Sequence, residues 1–226
     1  NYMFMFGNNG CDEYLYIIDK NDAVKKVLLP ANSQLNEIII GENASYIHTK
    51  TLINSAYSYN ITVINEDASL INSVTVNYPT FWGHTLNGIL YYPDLPEKLN
   101  SPTLNGLNIE LWRTNGSSNY MAYEINRGQQ QLPQNNFVNM PSQPRNFFKL
   151  QSKIYFIATN EGKENLYSLN EDFTFNNGTS NNQWNEGDNW AGQIVPFESD
   201  DALIPAGKTP EINGNASVKN ISVSSP

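Results

Sequence analysis

The chain has 226 residues, a net charge of −9, 39% hydrophobic residues and only 15% charged residues. This length and composition are typical of a folded protein with a sizeable core and exclude a disordered polyelectrolyte. The acidic balance and the lack of a basic stripe argue against a nucleic-acid partner. No run of about 18 apolar residues occurs, so the sequence predicts no membrane span.

Strands joined in hairpins are predicted along the first 172 residues. Aromatic residues, mostly Tyr and Phe, make up 12% of the chain and favour strands over helices. Four pairs of stretches are predicted to be an outgoing and a returning strand: 2–6 with 14–18, 45–52 with 57–64, 88–92 with 109–114, and 153–159 with 165–170. Further strands are predicted at 24–29, 37–40, 70–76, 120–125 and 147–150. The Gln/Asn/Pro-rich segment 129–144 is predicted to be a loop.

The last of these hairpins gives the clearest signal. Ile154, Phe156 and Ala158 alternate with the residues between them at the period of two that a strand requires. The turn at residues 160–162, Asn-Glu-Gly, supplies residue types that tolerate positive φ. This pattern predicts one apolar face on the outgoing strand.

The returning strands recur at a drifting period. Equivalent pairs begin at Leu15, Ile61, Leu111 and Leu166, which lie 46, 50 and 55 residues apart. A period of about 40–55 residues with about four strands per unit and no helical stripe is typical of β-propeller blades. The predicted fold class is therefore all-β, with about four propeller-like blades followed by the start of a small β-sandwich or β-solenoid module.

Acidic and basic residues are distributed unevenly along the chain. Residues 1–170 carry 14 acidic and 11 basic residues, whereas residues 171–226 carry 8 and 2. This shift predicts a boundary near residue 171. We expect blades at 1–172, a flexible Asn/Gly/Ser linker at 173–183 and a small β module at 184–226. The chain opens without Met and both ends fall in predicted strands, so we expect an excerpt of a longer secreted protein and the C-terminal part of a larger propeller.

Residues 108–116, Asn-Ile-Glu-Leu-Trp-Arg-Thr-Asn-Gly, resemble the Glu-Leu-Trp-x-Thr-Asp-Gly-Thr repeat of bacterial surface and secreted proteins. In that family a Gly-Lys-Leu-Tyr-Phe-x-Ala strand precedes the repeat, and residues 151–162 are similar to it. Asn115 stands where the family has Asp, and Ser117 where it has Thr. The resemblance covers residues 85–172 well and the preceding residues weakly. It implies β-propeller blades and says almost nothing about activity.

Residues 183–207 resemble a second module, with the pattern Trp-Asn, Asn-Trp, Gly, Val-Pro, Asp-Asp and Ile-Pro-Ala-Gly. That module recurs near the C-terminal end of cargo proteins of the type IX secretion system of the Bacteroidota, just before the sorting domain. The resemblance implies export across the outer membrane, with the translocon and its shuttle as partners. It implies no reaction.

Trp184 and Trp190 are the candidate ligand-binding residues. They lie six residues apart and could stack on the face of a sugar, as in a lectin. The alternative, which we favour, is that both rings pack beneath the first turn of the C-terminal module, because a small all-β module needs large apolar anchors.

Several other residues could bind a metal ion or take part in catalysis, but for each of them we favour a structural role. Three acidic pairs could offer oxygen ligands to Ca²⁺, although none fits a calcium loop: Glu171 with Asp172, Glu186 with Asp188, and Asp200 with Asp201. His48 and His84 have no partner at metal-ligand spacing, and Cys11 is the only cysteine. Glu110, beside Trp112, could act as an acid–base carboxylate or hold a framework position.

No motif for nucleophilic, phosphate or dinucleotide chemistry occurs in the sequence, and we expect no catalytic residue and no cofactor. We expect a non-enzymatic secreted or cell-surface protein, exported by the type IX route, whose propeller loops bind a glycan or a protein. Two alternatives stay open. The chain could be the C-terminal accessory region of a secreted glycan-active or proteolytic enzyme, or a structural stalk without a ligand.

Overall fold

The computed structural model describes most of the chain. The described residues are 3–8, 13–18, 23–30, 32–41, 44–64, 69–77, 82–95, 109–123, 125–126, 129–131, 137–169, 171–198, 200–214 and 216–224. Cys11 lies outside them. Within these ranges the protein is all-β: it contains strands, one short 3₁₀ turn at Gly187–Asn189 and no α-helix.

Sixteen strands form five antiparallel sheets in chain order. The first sheet has β1 (Met3–Asn8), β2 (Glu13–Ile18) and β3 (Val24–Leu28); the second has β4 (Ser33–Ile39), β5 (Ser45–Ile53), β6 (Ala56–Ile64) and β7 (Leu70–Val76). The third has β8 (His84–Leu86), β9 (Ile89–Asp94), β10 (Glu110–Thr114) and β11 (Asn119–Tyr123). A small hairpin follows with β12 (Gln129–Gln131) and β13 (Phe137–Asn139), and the fourth large sheet has β14 (Arg145–Leu150), β15 (Lys153–Asn160) and β16 (Lys163–Leu169).

All four predicted hairpins are present. In each large sheet the outgoing strand pairs antiparallel with the returning strand: β1 with β2, β5 with β6, β9 with β10, and β15 with β16. Trp112 lies opposite Tyr92, and Tyr167 lies opposite Phe156. The repeat therefore exists as a repeated hairpin.

Tight turns close these hairpins where the sequence supplies suitable residues. Glu161 and Gly162 have φ values of 49° and 75°, as a two-residue type I′ turn between β15 and β16 requires. Asn87 and Gly88 have φ values of 49° and 87° in the same kind of turn between β8 and β9. The apolar face predicted for β15 is confirmed, because Ile154, Phe156 and Ala158 are buried.

The four large sheets pack face to face in chain order, with an apolar core between each pair. β6 shows the principle: Ile64 faces the core shared with the first sheet, whereas Ile61 and Val63 face the core shared with the third. In β9, Leu90 faces the second sheet and Tyr91 faces the fourth. A strand in the middle of such a stack must be apolar on both faces, which explains why β9 is buried along its whole length and β6 over its last four residues.

Three parts of the predicted strand map differ from the structure. The loop predicted at 129–144 contains β12 and β13, and β8 was not predicted, because three-residue strands give no usable alternation. The strand predicted at 37–40 begins at Ser33, since a register shift between Leu35 and Glu37 interrupts the period of two.

The C-terminal module, defined as residues 173–224, has little regular structure. β17 (Asp201–Ile204) and β18 (Asn220–Val223) pair in parallel, and a separate core contains Phe175, Trp184 and Trp190. Ile194 and Phe197 of the module belong instead to the core between the third and fourth sheets. The module is therefore packed against the repeats.

Candidate functional site

Glu110, the candidate acid–base carboxylate, is fully buried at the start of β10. Its Oε2 accepts a hydrogen bond of 2.9 Å from the backbone N–H of Ile125, and its Oε1 accepts one of 3.2 Å from that of Ser142. Both oxygens are thus used to hold two loop segments beside the strand. This geometry gives Glu110 the framework role rather than the catalytic one.

Arg113, also on β10, is the main polar link between the repeats and the C-terminal module. Its side chain is fully buried and forms an ion pair of 2.9 Å with Asp200. It donates a further hydrogen bond to the carbonyl oxygen of Val195. Its guanidinium lies 4.1 Å from the ring centroid of Phe197 and 5.3 Å from that of Phe173. All four partners belong to the module, so Arg113 anchors it on the third sheet.

Asp200 is held in place by more than the ion pair. Its Oδ2 also accepts a hydrogen bond of 2.8 Å from the backbone N–H of Phe197. Burial raises the pKa of Asp200 above its ordinary value, and Arg113 opposes that rise. A carboxylate this enclosed depends on its cationic partner.

Glu171 forms a second polar contact beside the same junction. It accepts hydrogen bonds of 2.6 Å from the Tyr91 hydroxyl and 2.5 Å from the side-chain amide of Asn87. Burial raises the pKa of Glu171, and these two hydrogen bonds oppose the rise. Burial likewise raises the pKa of Tyr91. This cluster fixes the start of the module against the turn between β8 and β9.

The two tryptophans predicted as a possible sugar platform lie inside the module. Trp184 and Trp190 are 2% and 0% exposed, and their rings meet edge to face with centroids 4.7 Å apart. The Trp190 Nε1–H donates a hydrogen bond of 2.8 Å to the carbonyl oxygen of Trp184, and Phe175 packs against Trp190 at 5.2 Å. Neither ring presents a face on which a sugar could stack.

Residues 173–183 differ from the flexible linker that the composition predicts. Asn189, which is fully buried, accepts hydrogen bonds from the Thr179 N–H at 2.9 Å and the Thr179 hydroxyl at 2.7 Å. Its amide nitrogen donates to Asn181 at 2.6 Å and to the Gln183 carbonyl at 2.9 Å. The segment follows an ordered path around this one side chain, because amide side chains here replace strand pairing as backbone partners.

The acidic pairs and the histidines are dispersed. Asp188 accepts a hydrogen bond from Tyr123 at 3.3 Å, and Asp201 accepts one from Asn220 at 2.7 Å. His48 is buried in the second sheet, where burial lowers its pKa to about 4, and His84 contacts the Thr85 carbonyl. In the described part of the chain, no group of three or more His, Cys, Asp or Glu residues could hold a metal ion.

A pocket of about 260 Å³, which the sequence did not predict, lies on the second sheet. Its walls are six neutral polar side chains together with Pro30 and Leu70; the six are Thr49, Thr51, Asn60, Thr62, Asn72 and Ser73. The only sequence signal is that Thr and Asn occupy alternate positions of β5 and β6. Because Thr is a common strand residue, that signal alone does not indicate a site.

No protein-family model matches the chain, and no curated protein is significantly similar to it. The fold is similar to that of an acylaminoacyl peptidase of Pyrococcus horikoshii, with 12% identity and a TM-score of 0.45 over 75% of this chain and 35% of that one. An acylaminoacyl peptidase in complex with Z-Gly-Gly-Phe-chloromethyl ketone is similar at 10% identity and a TM-score of 0.45, over 75% and 36% of the two chains. An ACO/RPE65 chimera gives 12% identity and a TM-score of 0.37, over 74% and 45%. The chain spans about a third of the length of these peptidases.

Among the residues that the structure describes, no helix is long and apolar enough to cross a membrane.

Proposed function

We propose that the chain is the propeller and C-terminal export region of a non-enzymatic secreted or cell-surface protein, in which the blades form a scaffold for binding a glycan or a protein. The observation that carries this proposal is the structural role of the Glu110 carboxylate. This carboxylate is the most enzyme-like group of the repeat, and its two oxygens are bonded to backbone N–H groups of neighbouring segments. The carboxylate of Glu110 therefore has a structural role, because it joins neighbouring segments to the blade.

The propeller assignment is supported by exposed apolar residues on the outer faces of the first and fourth sheets. Val24 and Leu28 on the outer face of the first sheet are 60% and 58% exposed. Leu150 and Leu166 on the outer face of the fourth sheet are 57% and 63% exposed. Propellers usually have four to eight blades, and exposed apolar sheet faces are typical of surfaces that another sheet covers. In a larger ring, further blades would pack on both faces.

Export by the type IX route is supported by the way the C-terminal module folds. The residues that carry its resemblance to exported cargo form its framework: Trp184 and Trp190 are in its core, and Asn189 organises its entry segment. The pattern therefore has a folding role of its own in this chain. Partners during export would be the outer-membrane translocon and its shuttle.

Localisation of the native protein tests this proposal. Cells of the producing organism would be fractionated and shaved with a protease, beside a strain that lacks the outer-membrane translocon. We expect the protein on the surface or in the medium of the parent strain, and in the periplasm of the translocon mutant. An outer-membrane porin and a periplasmic enzyme serve as controls for each fraction. A cytoplasmic protein in both strains would contradict the export proposal.

A further inference from the structure

The pocket on the second sheet is built mainly from side chains that share one sheet face. Thr49 lies opposite Asn60, and Thr62 lies opposite Ser73, in the register of β5, β6 and β7. Residues directly opposite in antiparallel strands project from the same face. Thr62 also lies opposite Ile47, which packs in the core against the first sheet. The pocket is therefore the polar end of the cleft between the first and second sheets, and Pro30 after β3 lines its wall.

Among the residues that the structure describes, every side chain that lines this pocket is uncharged, although the chain as a whole carries a net charge of −9. Three cross-strand hydrogen bonds fix the orientation of the polar groups. The hydroxyl oxygens of Ser33 and Thr51 lie 2.7 Å apart. The Thr62 hydroxyl donates to the Ser73 hydroxyl at 3.1 Å, and the Thr75 hydroxyl donates to the side-chain Oδ1 of Asn60 at 3.1 Å. A set of groups held in this way loses little side-chain entropy when a ligand binds.

The directions of these hydrogen bonds determine what the pocket offers a ligand. Because Ser73 accepts from Thr62, its own hydroxyl proton can be donated to a ligand oxygen. Because the Asn60 carbonyl accepts from Thr75, its amide nitrogen still carries two donor hydrogens. The pocket thus presents neutral donors next to hydroxyl acceptors.

We propose that this pocket binds one or two sugar units of a neutral saccharide chain. Sugar hydroxyls both donate and accept hydrogen bonds, which matches the mixed hydroxyl and amide lining, and the C–H face of a pyranose ring matches Pro30 and Leu70. The volume of about 260 Å³ is slightly below the range of typical ligand pockets, which begins at about 300 Å³, and therefore limits the ligand to a small group. This inference rests on the proposed binding function and specifies its ligand class.

Two other ligand classes fit the site less well. An anionic or cationic ligand would enter without an opposite charge to replace its hydration. An extended peptide binds to a sheet through an unpaired strand edge, whereas most of the pocket lies on the face over β5 and β6, which are each paired on both sides; β7, which also lines the pocket, is the edge strand. Only side chains are left to make contacts, and those contacts suit a saccharide.

Saturation-transfer NMR and calorimetry on the full chain would test the inference. The probes are three neutral sugars, cellotriose, maltotriose and chitotriose, with trigalacturonic acid as the charged counterpart. We expect at least one neutral trisaccharide to bind with a Kd on the order of 1 mM, and the charged one to bind at least about tenfold more weakly.

The double variant Asn60→Ala/Ser73→Ala is compared with the wild type, because it removes the two side chains that can donate hydrogen bonds to the ligand. Ser168→Ala is the matched control, because Ser168 is an equally solvent-exposed strand serine on the fourth sheet. We expect the double variant to weaken saccharide binding about tenfold or more, since it removes two neutral hydrogen bonds to the ligand. The control should bind as the wild type does, and all proteins should be fully folded at the temperature of the binding assay.

Unchanged saccharide binding by the double variant would overturn the assignment of this pocket and leave glycan binding elsewhere on the protein. Equal binding of trigalacturonic acid would overturn the neutral ligand class. If no trisaccharide binds at about 10 mM, the pocket inference fails, while the export proposal is judged separately by localisation.

Discussion

The repeat sheets and the C-terminal module are held together by different interactions. In the repeats, strands of up to nine residues pair in register, and three apolar cores separate four successive sheets. In the module, the longest strands have four residues, and hydrogen bonds from side chains to the backbone replace the ladders. The repeats therefore depend on many similar contacts, whereas the module depends on a few particular side chains.

This difference has a consequence for mutation. Removing one apolar residue from a repeat core leaves neighbouring ladders intact. Removing Trp190, Asn189 or Arg113 takes away a group on which several segments of the module converge. We expect single substitutions in the module to produce local unfolding that leaves the sheets folded.

The largest expected effect is that of Trp190→Ala. The change leaves a cavity beside Trp184 and Phe175 and removes the hydrogen bond to the Trp184 carbonyl. We expect a loss of about 3–5 kcal/mol in the stability of the module, measured by urea unfolding followed by Trp fluorescence. Trp82→Ala is the control, because Trp82 is 56% exposed, and it should cost less than about 0.5 kcal/mol. Equal losses for the two variants would contradict the buried Trp core.

Gly116→Ala should have the next largest effect and acts on the repeats. Gly116 has a φ of +91°, and a Cβ there would collide with the side chain of Val63 on the second sheet. We expect a loss of roughly 2–4 kcal/mol in the free energy of unfolding. Gly162→Ala is the matched control: it also has positive φ, at +75°, but no atom within 4 Å of its added Cβ. A loss of about 1 kcal/mol is expected there. If the two variants are equally stable, the packing of the third sheet on the second is wrong.

His48 should give the smallest of these effects, as a pH dependence. Burial lowers the pKa of folded His48 from 6.5 to about 4, so the unfolded chain binds the proton at a higher pH than the folded one. The stability that His48 contributes is therefore complete above about pH 6.5 and is lost as the pH falls toward 4. We expect a loss of about 2 kcal/mol between pH 7 and pH 5.

His48→Gln should remove this loss and flatten the pH profile of the thermal midpoint in that window. Glu171 and Asp200 at the junction act in the opposite direction, because their raised pKa values cost stability as the pH rises through their ordinary range. The same acid slope in wild type and His48→Gln would contradict the assignment to His48.

The sequence predicts the repeats better than the module for a physical reason. In β15, alternation places Ile154, Phe156 and Ala158 on the buried face, and this local pattern can be recognised without knowing the neighbours. The Asn-rich entry segment has no such pattern, because its order depends on Asn189, which comes later in the chain. Composition alone therefore predicted a flexible linker where the structure has an ordered turn.

The junction and the pocket could not have been predicted from the sequence. Arg113 meets Asp200, 87 residues later, only because the module folds back onto the third sheet. The pocket residues on β5, β6 and β7 come together through strand register, which the apolar pattern fixes but the polar residues do not reveal. For Glu110, by contrast, its place in the repeat already favoured the framework role.

The central claim is that the C-terminal module is anchored on the repeats through Arg113. Hydrogen exchange of the backbone amides at residues 176–182, followed by mass spectrometry, tests it most directly. In the wild type we expect strong protection, because Asn176, Asn177 and Thr179 donate to Asn189. Arg113→Ala leaves Asp200 buried without its cation, which should cost about 3–5 kcal/mol and remove protection throughout the module.

Arg145→Ala breaks the solvent-exposed ion pair with Glu164 on the fourth sheet and should cost at most about 1 kcal/mol, with protection of the module unchanged. Protected amides in the wild type and in Arg145→Ala, with exposed ones in Arg113→Ala, are the result that we predict. Rapid exchange at residues 176–182 in the wild type would show a flexible linker and contradict the anchored module.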